Sequence, residues 1–205
     1  MNFISTISII STVAIALYSA SNFKRYNQYK WIVIYCFINA TVEIVSLILA
    51  LSGIHNFLMY YVLIFSEIFA IILFFYSTSM FFSKMRKLYF FAFIYSVLSL
   101  LLFKFTSFSH FNPYSGIFEG FVVFICCLLF LANEIKNPKV TNIVEVPVFW
   151  FVSAFLIYYG CSWLILLGTQ LFTVKQELFI YIWDGHNILN IIKNILITIG
   201  ILWIR

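Results

Sequence analysis

Four of the seven acidic residues, Glu43, Glu67, Glu119 and Asp184, stand inside long apolar runs. If those runs cross a bilayer, each carboxylate is expensive, at ~2.5–3.5 kcal/mol for a charge at mid-depth. Such groups are therefore kept where they face protein or a polar cavity. The other polar side chains in these runs recur at helical spacing. Asn39 and Glu43 are one turn apart, and Tyr60 lies two turns before Glu67. Residues 184–194, Asp-Gly-His-Asn-Ile-Leu-Asn-Ile-Ile-Lys-Asn, set His186, Asn187, Asn190, Lys193 and Asn194 three and four apart, which makes one polar stripe. Tyr158 and Ser162, one turn apart, add a phenol and a hydroxyl. Carboxylates, an imidazole and an ammonium drawn together can bind a small ligand or lipid headgroup, or pass a proton. The same groups can also simply hold helices together through hydrogen bonds worth ~0.6 kcal/mol each. Three carboxylates facing a histidine are more than such packing requires.

Several other chemistries lack their residues. The histidines are His55, His110 and His186 only, with no His-x-x-x-His pair, so neither a metal site nor a cofactor is expected. This separates the chain from seven-span intramembrane hydrolases of the ceramidase type, which rest on three histidines. Gly160-Cys161-Ser162 is an incomplete nucleophile elbow, and no glycine-rich phosphate cradle is present. Lys193 lies in the last apolar run, as the retinal lysine does in seven-span retinal proteins. One turn before it, however, stand Leu189 and Asn190 where those proteins carry an aspartate. An enzyme is therefore not expected.

The elements that position these residues follow from composition. The chain has 205 residues, 64% hydrophobic and 9% charged, with a mean hydropathy of +1.05. An average soluble domain is about a quarter charged, so this chain is built to face lipid. Apolar runs lie near 3–21, 31–52, 57–82, 88–104, 115–133, 146–172 and 179–203, each long enough to cross ~30 Å of hydrocarbon as a helix. Open sheets are excluded there because their edge groups would go unpaired. The expected fold is an all-α integral membrane protein, a single transmembrane domain over 1–205 forming a seven-transmembrane-helix bundle. Cys36, Cys126, Cys127 and Cys161 all fall in apolar runs, where thiols behave as small hydrophobes.

Charge sets the expected orientation. Lys24, Arg25, Lys30, Lys84, Arg86, Lys87, Lys136, Lys139 and Arg205 fall on one side of the seven-span arrangement, against Lys104 and Lys175 on the other. Basic residues accumulate on the cytoplasmic side, which puts the N-terminus outside and the C-terminus in the cytoplasm. The first run has its positive charge after it rather than before, so it reads as a span and not a signal peptide. The distribution of charge in short loops also argues against nucleic acid as a partner. Within this frame Glu67, Glu119, Asp184, His186 and Asn187 fall in the outer half, Glu43 and Asn190 near the middle, and Lys193 slightly inside. Together they suggest a cavity opening outward, with Lys193 as counter-charge to Glu43 or Glu67.

Two resemblances bear on function. Length and topology resemble the small sugar carriers of the PQ-loop type, but those carry prolines in their helices, whereas Pro113, Pro138 and Pro147 lie in loops or at a helix start and no Pro-Gln dipeptide exists. The stretch Tyr60–Glu67, the run Phe149–Tyr158, and His186–Asn190 with Gly200–Trp203 resemble a group of small, largely uncharacterised seven-span proteins of Bacteroidota. Some of that group are linked to two-component signalling. Lys193 departs from the group, where an apolar residue is usual. The resemblance implies a bacterial inner-membrane protein of sensory or regulatory type, engaging a signalling or membrane-complex partner through basic cytoplasmic loops. The alternatives are a small proton-coupled transporter and a structural subunit of a membrane complex.

Overall fold

The computed structural model describes residues 3–21, 29–54, 56–78, 94, 114–138, 142–171 and 176–204. Among them are six α-helices: α1 (Phe3–Ser21), α2 (Lys30–Leu51), α3 (Phe57–Thr78), α4 (Tyr114–Lys136), α5 (Pro147–Leu171) and α6 (Gln176–Leu202). A short 3₁₀ turn at Ile143–Glu145 precedes α5, and no strand occurs among the described residues. All six helices are long and apolar enough to cross a membrane, and the chain reads as a multi-pass membrane protein. Each overlaps one of the expected apolar runs. The expected fourth span, 88–104, lies outside the described residues except for residue 94.

Helix is the form these segments must take. Their interiors hold no proline, so each interior N–H is free to donate to the carbonyl four residues before it, as hydrocarbon demands. Proline appears where it costs nothing. Pro147 is the first residue of α5, and the preceding Val146 is extended (φ −94°, ψ 119°), as a residue before proline prefers. The approach to α5 is further pinned by Trp150, whose indole N–H donates to the Val144 carbonyl at 2.7 Å. At the other kind of end, α2 stops at Gly53, whose φ of +71° is easy only for glycine. The N–H of Ile54 donates to Leu49 O and that of Gly53 to Ala50 O, which satisfies two of the last carbonyls of the helix.

Burial is partly inverted relative to a water-soluble protein: the core is mostly apolar, but it also takes in polar side chains while large apolar ones face outward. Phe3, Leu17, Phe37, Ile48, Leu164 and Ile195 are exposed, whereas Ser8, Thr12, Asn39, Glu67, Glu119, Asn190, Lys193 and Asn194 are buried. Isolated exposed apolar residues are ordinary on any protein. Buried polar residues behind outward apolar ones, repeated helix after helix, are what a lipid-facing bundle requires.

The chain divides into two compact units. One comprises Met1–Ile15 with Gly116–Arg205, and the other Ala16–Ser115. In the second unit α2 packs on α3 across the short connection 52–56, so the two helices run antiparallel. Trp31 meets Phe69 edge-on there, with centroids 6.4 Å apart. In the first unit α5 packs along α6. α4 also approaches α5 at Gly120: a Cβ added there would stand 2.6 Å from Trp163 Cβ and 3.2 Å from the Tyr159 carbonyl oxygen. Small residues at such crossings let helix backbones approach where lipid provides no hydrophobic drive.

The backbone at Tyr159 cannot yield to an added methyl. Gly120→Ala is therefore expected to separate α4 from α5 and destabilise the protein by about 1–3 kcal/mol. Thermal unfolding in mild detergent reads this, and an unchanged midpoint would show that the crossing is loose.

Candidate functional site

The polar stripe read on the last span is the inward face of α6. Asn190, Lys193, Asn194, Ile197 and Ile201 are buried, while Ile188, Ile192, Ile195 and Leu202 point outward. Within the first unit this stripe meets two different partners, one on α5 and one on α1.

Toward α5, His186 is held at both ring nitrogens. Its Nε2 lies 3.2 Å from Tyr158 Oη and its Nδ1 3.3 Å from Ser162 Oγ. Tyr158 and Ser162 are one turn apart on α5, which places both hydroxyls along one imidazole. A neutral imidazole has one N–H donor and one acceptor, and each hydroxyl can serve either role, so both tautomers are satisfied. Two aromatic rings frame the histidine. Trp183 meets it edge-on at 5.6 Å between centroids, and Tyr158 lies tilted at 5.3 Å. Lys193, two turns further along α6, is only 1% exposed. Helical side chains lean toward the N-terminus, and its ammonium accordingly reaches back over the Tyr158 ring, 4.3 Å from the centroid. Desolvated cation–π contacts of this kind contribute ~2 kcal/mol. Tyr158 thus touches the imidazole with its hydroxyl and the ammonium with its ring face.

Toward α1, the stripe forms a ladder of neutral hydrogen bonds. Asn190 Nδ2 donates to Ser8 Oγ (2.8 Å) and Thr12 Oγ1 (3.2 Å), and Asn194 Nδ2 donates to Ser11 Oγ (2.8 Å) and Thr12 Oγ1 (2.9 Å). Ser11 and Thr12 in turn donate to the Ser8 carbonyl, at 2.7 and 3.0 Å. Protons therefore run one way, from the α6 amides to the α1 hydroxyls and on to an α1 carbonyl.

Of the residues singled out in the sequence, Tyr158, Ser162, His186, Asn190 and Lys193 come together in this unit. Asn187 is half-buried and joins none of these hydrogen bonds. Glu119 is buried on α4, beside the Gly120 crossing. Trp163, from the same crossing, has a buried indole Nε1 with no hydrogen-bond partner among the described residues. The remaining expected residues belong to the second unit. There Asn39 is buried and its amide donates to the Tyr35 carbonyl at 3.0 Å, a bond inside α2. Glu67 is buried, Glu43 and Tyr60 are half-buried, and Tyr60 stacks edge-on against Tyr61. Counting from the turn at 52–56 at 1.5 Å per residue, Glu43 and Glu67 sit within about 3 Å of the same depth. His55 and His110 lie outside the described residues. Among those described, no group of three His, Cys, Asp or Glu side chains is placed to hold a metal ion.

Sequence reasoning missed Ser8, Ser11 and Thr12. The signal was present: Ser5, Ser8, Ser11 and Thr12 follow a three-and-four spacing in α1, the same period as the stripe they meet. Hydroxyls went unweighed because they are cheap in lipid, bonding back to their own helix.

Because Thr12 accepts from both amides, a double-mutant cycle of Asn194→Ala with Thr12→Ala is expected to show a coupling of about 0.6–1.7 kcal/mol. Reversible unfolding in bicelles would measure it, and strict additivity would mean that the ladder does not hold α1 to α6. Comparison of the chain with protein-family models, with curated proteins and with solved structures finds no match in any of the three.

Proposed function

We propose that this protein is a sensory or regulatory bundle of the bacterial inner membrane, with seven spans, its N-terminus outside and its C-terminus in the cytoplasm. The alternation of basic loops supports that orientation, with residues 88–104 as the further span. The stimulus we assign is a proton, taken up at His186. The observation that carries this reading is the histidine bonded at both nitrogens to rotatable hydroxyls, with a buried ammonium over the same tyrosine.

Protonation changes what the neighbours must do. Imidazolium donates from both nitrogens, so Tyr158 and Ser162 must both turn to accept. It also sets a second cation close to Lys193. The phenol lies against both groups, so α5 feels the change directly. A structural rearrangement there would reach the basic cytoplasmic loops and a partner protein bound to them. Glu43 and Glu67 form the second polar element of the receptor, in the other unit.

A second reading, proton-coupled transport, is favoured by the buried carboxylates Glu67 and Glu119, groups able to carry a proton through an apolar interior. Proteoliposomes separate the two readings: a transporter accumulates substrate when a pH gradient is imposed, and a sensor does not.

Trp183 supplies an internal reporter, because its indole sits edge-on to His186. Acidification of the protein in nanodiscs is expected to quench tryptophan emission along a single titration. The transition should vanish in both His186→Gln and Trp183→Phe, and Lys193→Met, which removes the neighbouring cation, should move its midpoint to higher pH. Emission that stays flat on acidification, or a transition that survives His186→Gln, would defeat the assignment.

A further inference from the structure

A separate feature of the second unit stands apart from these polar residues. A cleft of about 280 Å³ is lined by Ala20 of α1 and by Val33, Ile34, Phe37 and Ile38 of α2. Its lining is entirely apolar. Phe37 is 55% exposed, so the cleft opens sideways on the face of the helix that meets the surrounding medium. For a membrane-spanning helix that medium is hydrocarbon. The volume falls just below the ~300–1,000 Å³ of pockets that enclose drug-sized ligands, and an apolar cleft open to hydrocarbon can take an acyl chain.

One residue gives the cleft a polarity. Lys30 lies three and four positions before Val33 and Ile34, which in turn lie four before Phe37 and Ile38. Lys30, Val33, Ile34, Phe37 and Ile38 therefore form a single stripe along α2, charged at its first turn and apolar after it. Lys30 is exposed and its ammonium sits 5.6 Å from the Trp31 ring centroid. A lysine beside a tryptophan at a helix end is the combination found at the membrane–water boundary. The positive charge is thus at headgroup depth, directly in line with the apolar cleft.

From this stripe we infer a specific site for one anionic phospholipid, with an acyl chain in the cleft and its phosphate-bearing headgroup on the Lys30 ammonium. The two parts contribute differently. Every lipid offers an acyl chain, and neighbouring lipids are as apolar as the cleft, so the chain fixes position without discriminating between lipids. Discrimination rests on charge. A basic residue at the surface of an anionic leaflet favours the anionic headgroup by roughly five-fold. This inference is independent of the proton-sensing role, since it involves neither His186 nor any residue of the first unit.

Native mass spectrometry of the full chain, released from micelles holding equal amounts of phosphatidylglycerol and phosphatidylcholine with identical chains, tests the site. The wild type should retain one phosphatidylglycerol about five-fold over phosphatidylcholine. Lys30→Gln, at an exposed position that leaves packing untouched, should bring that ratio to about one. Ala20→Phe, which fills the cleft, should remove the retained lipid of either kind. Equal retention of both lipids by the wild type would overturn the inference. So would a preference that persists in Lys30→Gln, and so would phosphatidylglycerol that stays bound in Ala20→Phe.

Discussion

Hydrocarbon offers no hydrogen-bond partner, and the structure follows from that deficit. Each spanning segment must satisfy its own backbone, which leaves the helix as the available form. Each polar side chain must then find protein. Hence the partly inverted pattern in which Lys193 and Glu67 are buried while Phe3 and Leu17 are not. Without hydrophobic drive between helices, close approach and polar bonds do the joining: Gly120 lets α4 reach α5, and the Asn190–Asn194 ladder ties α6 to α1.

The same deficit explains why one helix face can be both joint and site. Along α6 the asparagines donate to hydroxyls of α1, two of which are themselves bonded to the Ser8 carbonyl. At His186, one turn nearer the N-terminus, and at Lys193, between the two asparagines, the character changes. His186, Tyr158, Ser162 and Lys193 are groups whose protons can move or whose charge can shift, and each is held by a neighbour that can adopt either hydrogen-bonding role or present a π face. One helix face thus presents both kinds of contact.

The apolar cleft beside Ala20 and Phe37 and the imidazole cluster belong to different units. The cleft is lined by apolar side chains, with Lys30 one turn before them on α2. The imidazole is instead met by two hydroxyls and framed by aromatic rings. The two places therefore differ in the chemistry they present.

Composition and the length of the apolar runs determined that the chain is helical and built to cross a membrane, and each of the six helices overlaps one of those runs. Periodicity also determined the inward stripe on the last helix, because a polar residue in lipid has only one direction to face. What periodicity could not supply is the identity of the partner across the interface, since that depends on how two helices are rotated and offset. Only the tertiary structure put the Tyr158 ring beneath the Lys193 ammonium, gave both nitrogens of His186 to hydroxyls, and enlisted Ser8, Ser11 and Thr12. It also gave the Asn39 amide a bond to the Tyr35 carbonyl of its own helix, a bond that sequence spacing alone cannot distinguish from a bond across helices. The physical reason is common to all of these: burial is a property of one chain segment in its solvent, whereas a hydrogen bond or a cation–π contact is set by distances of a few ångströms between segments far apart in sequence.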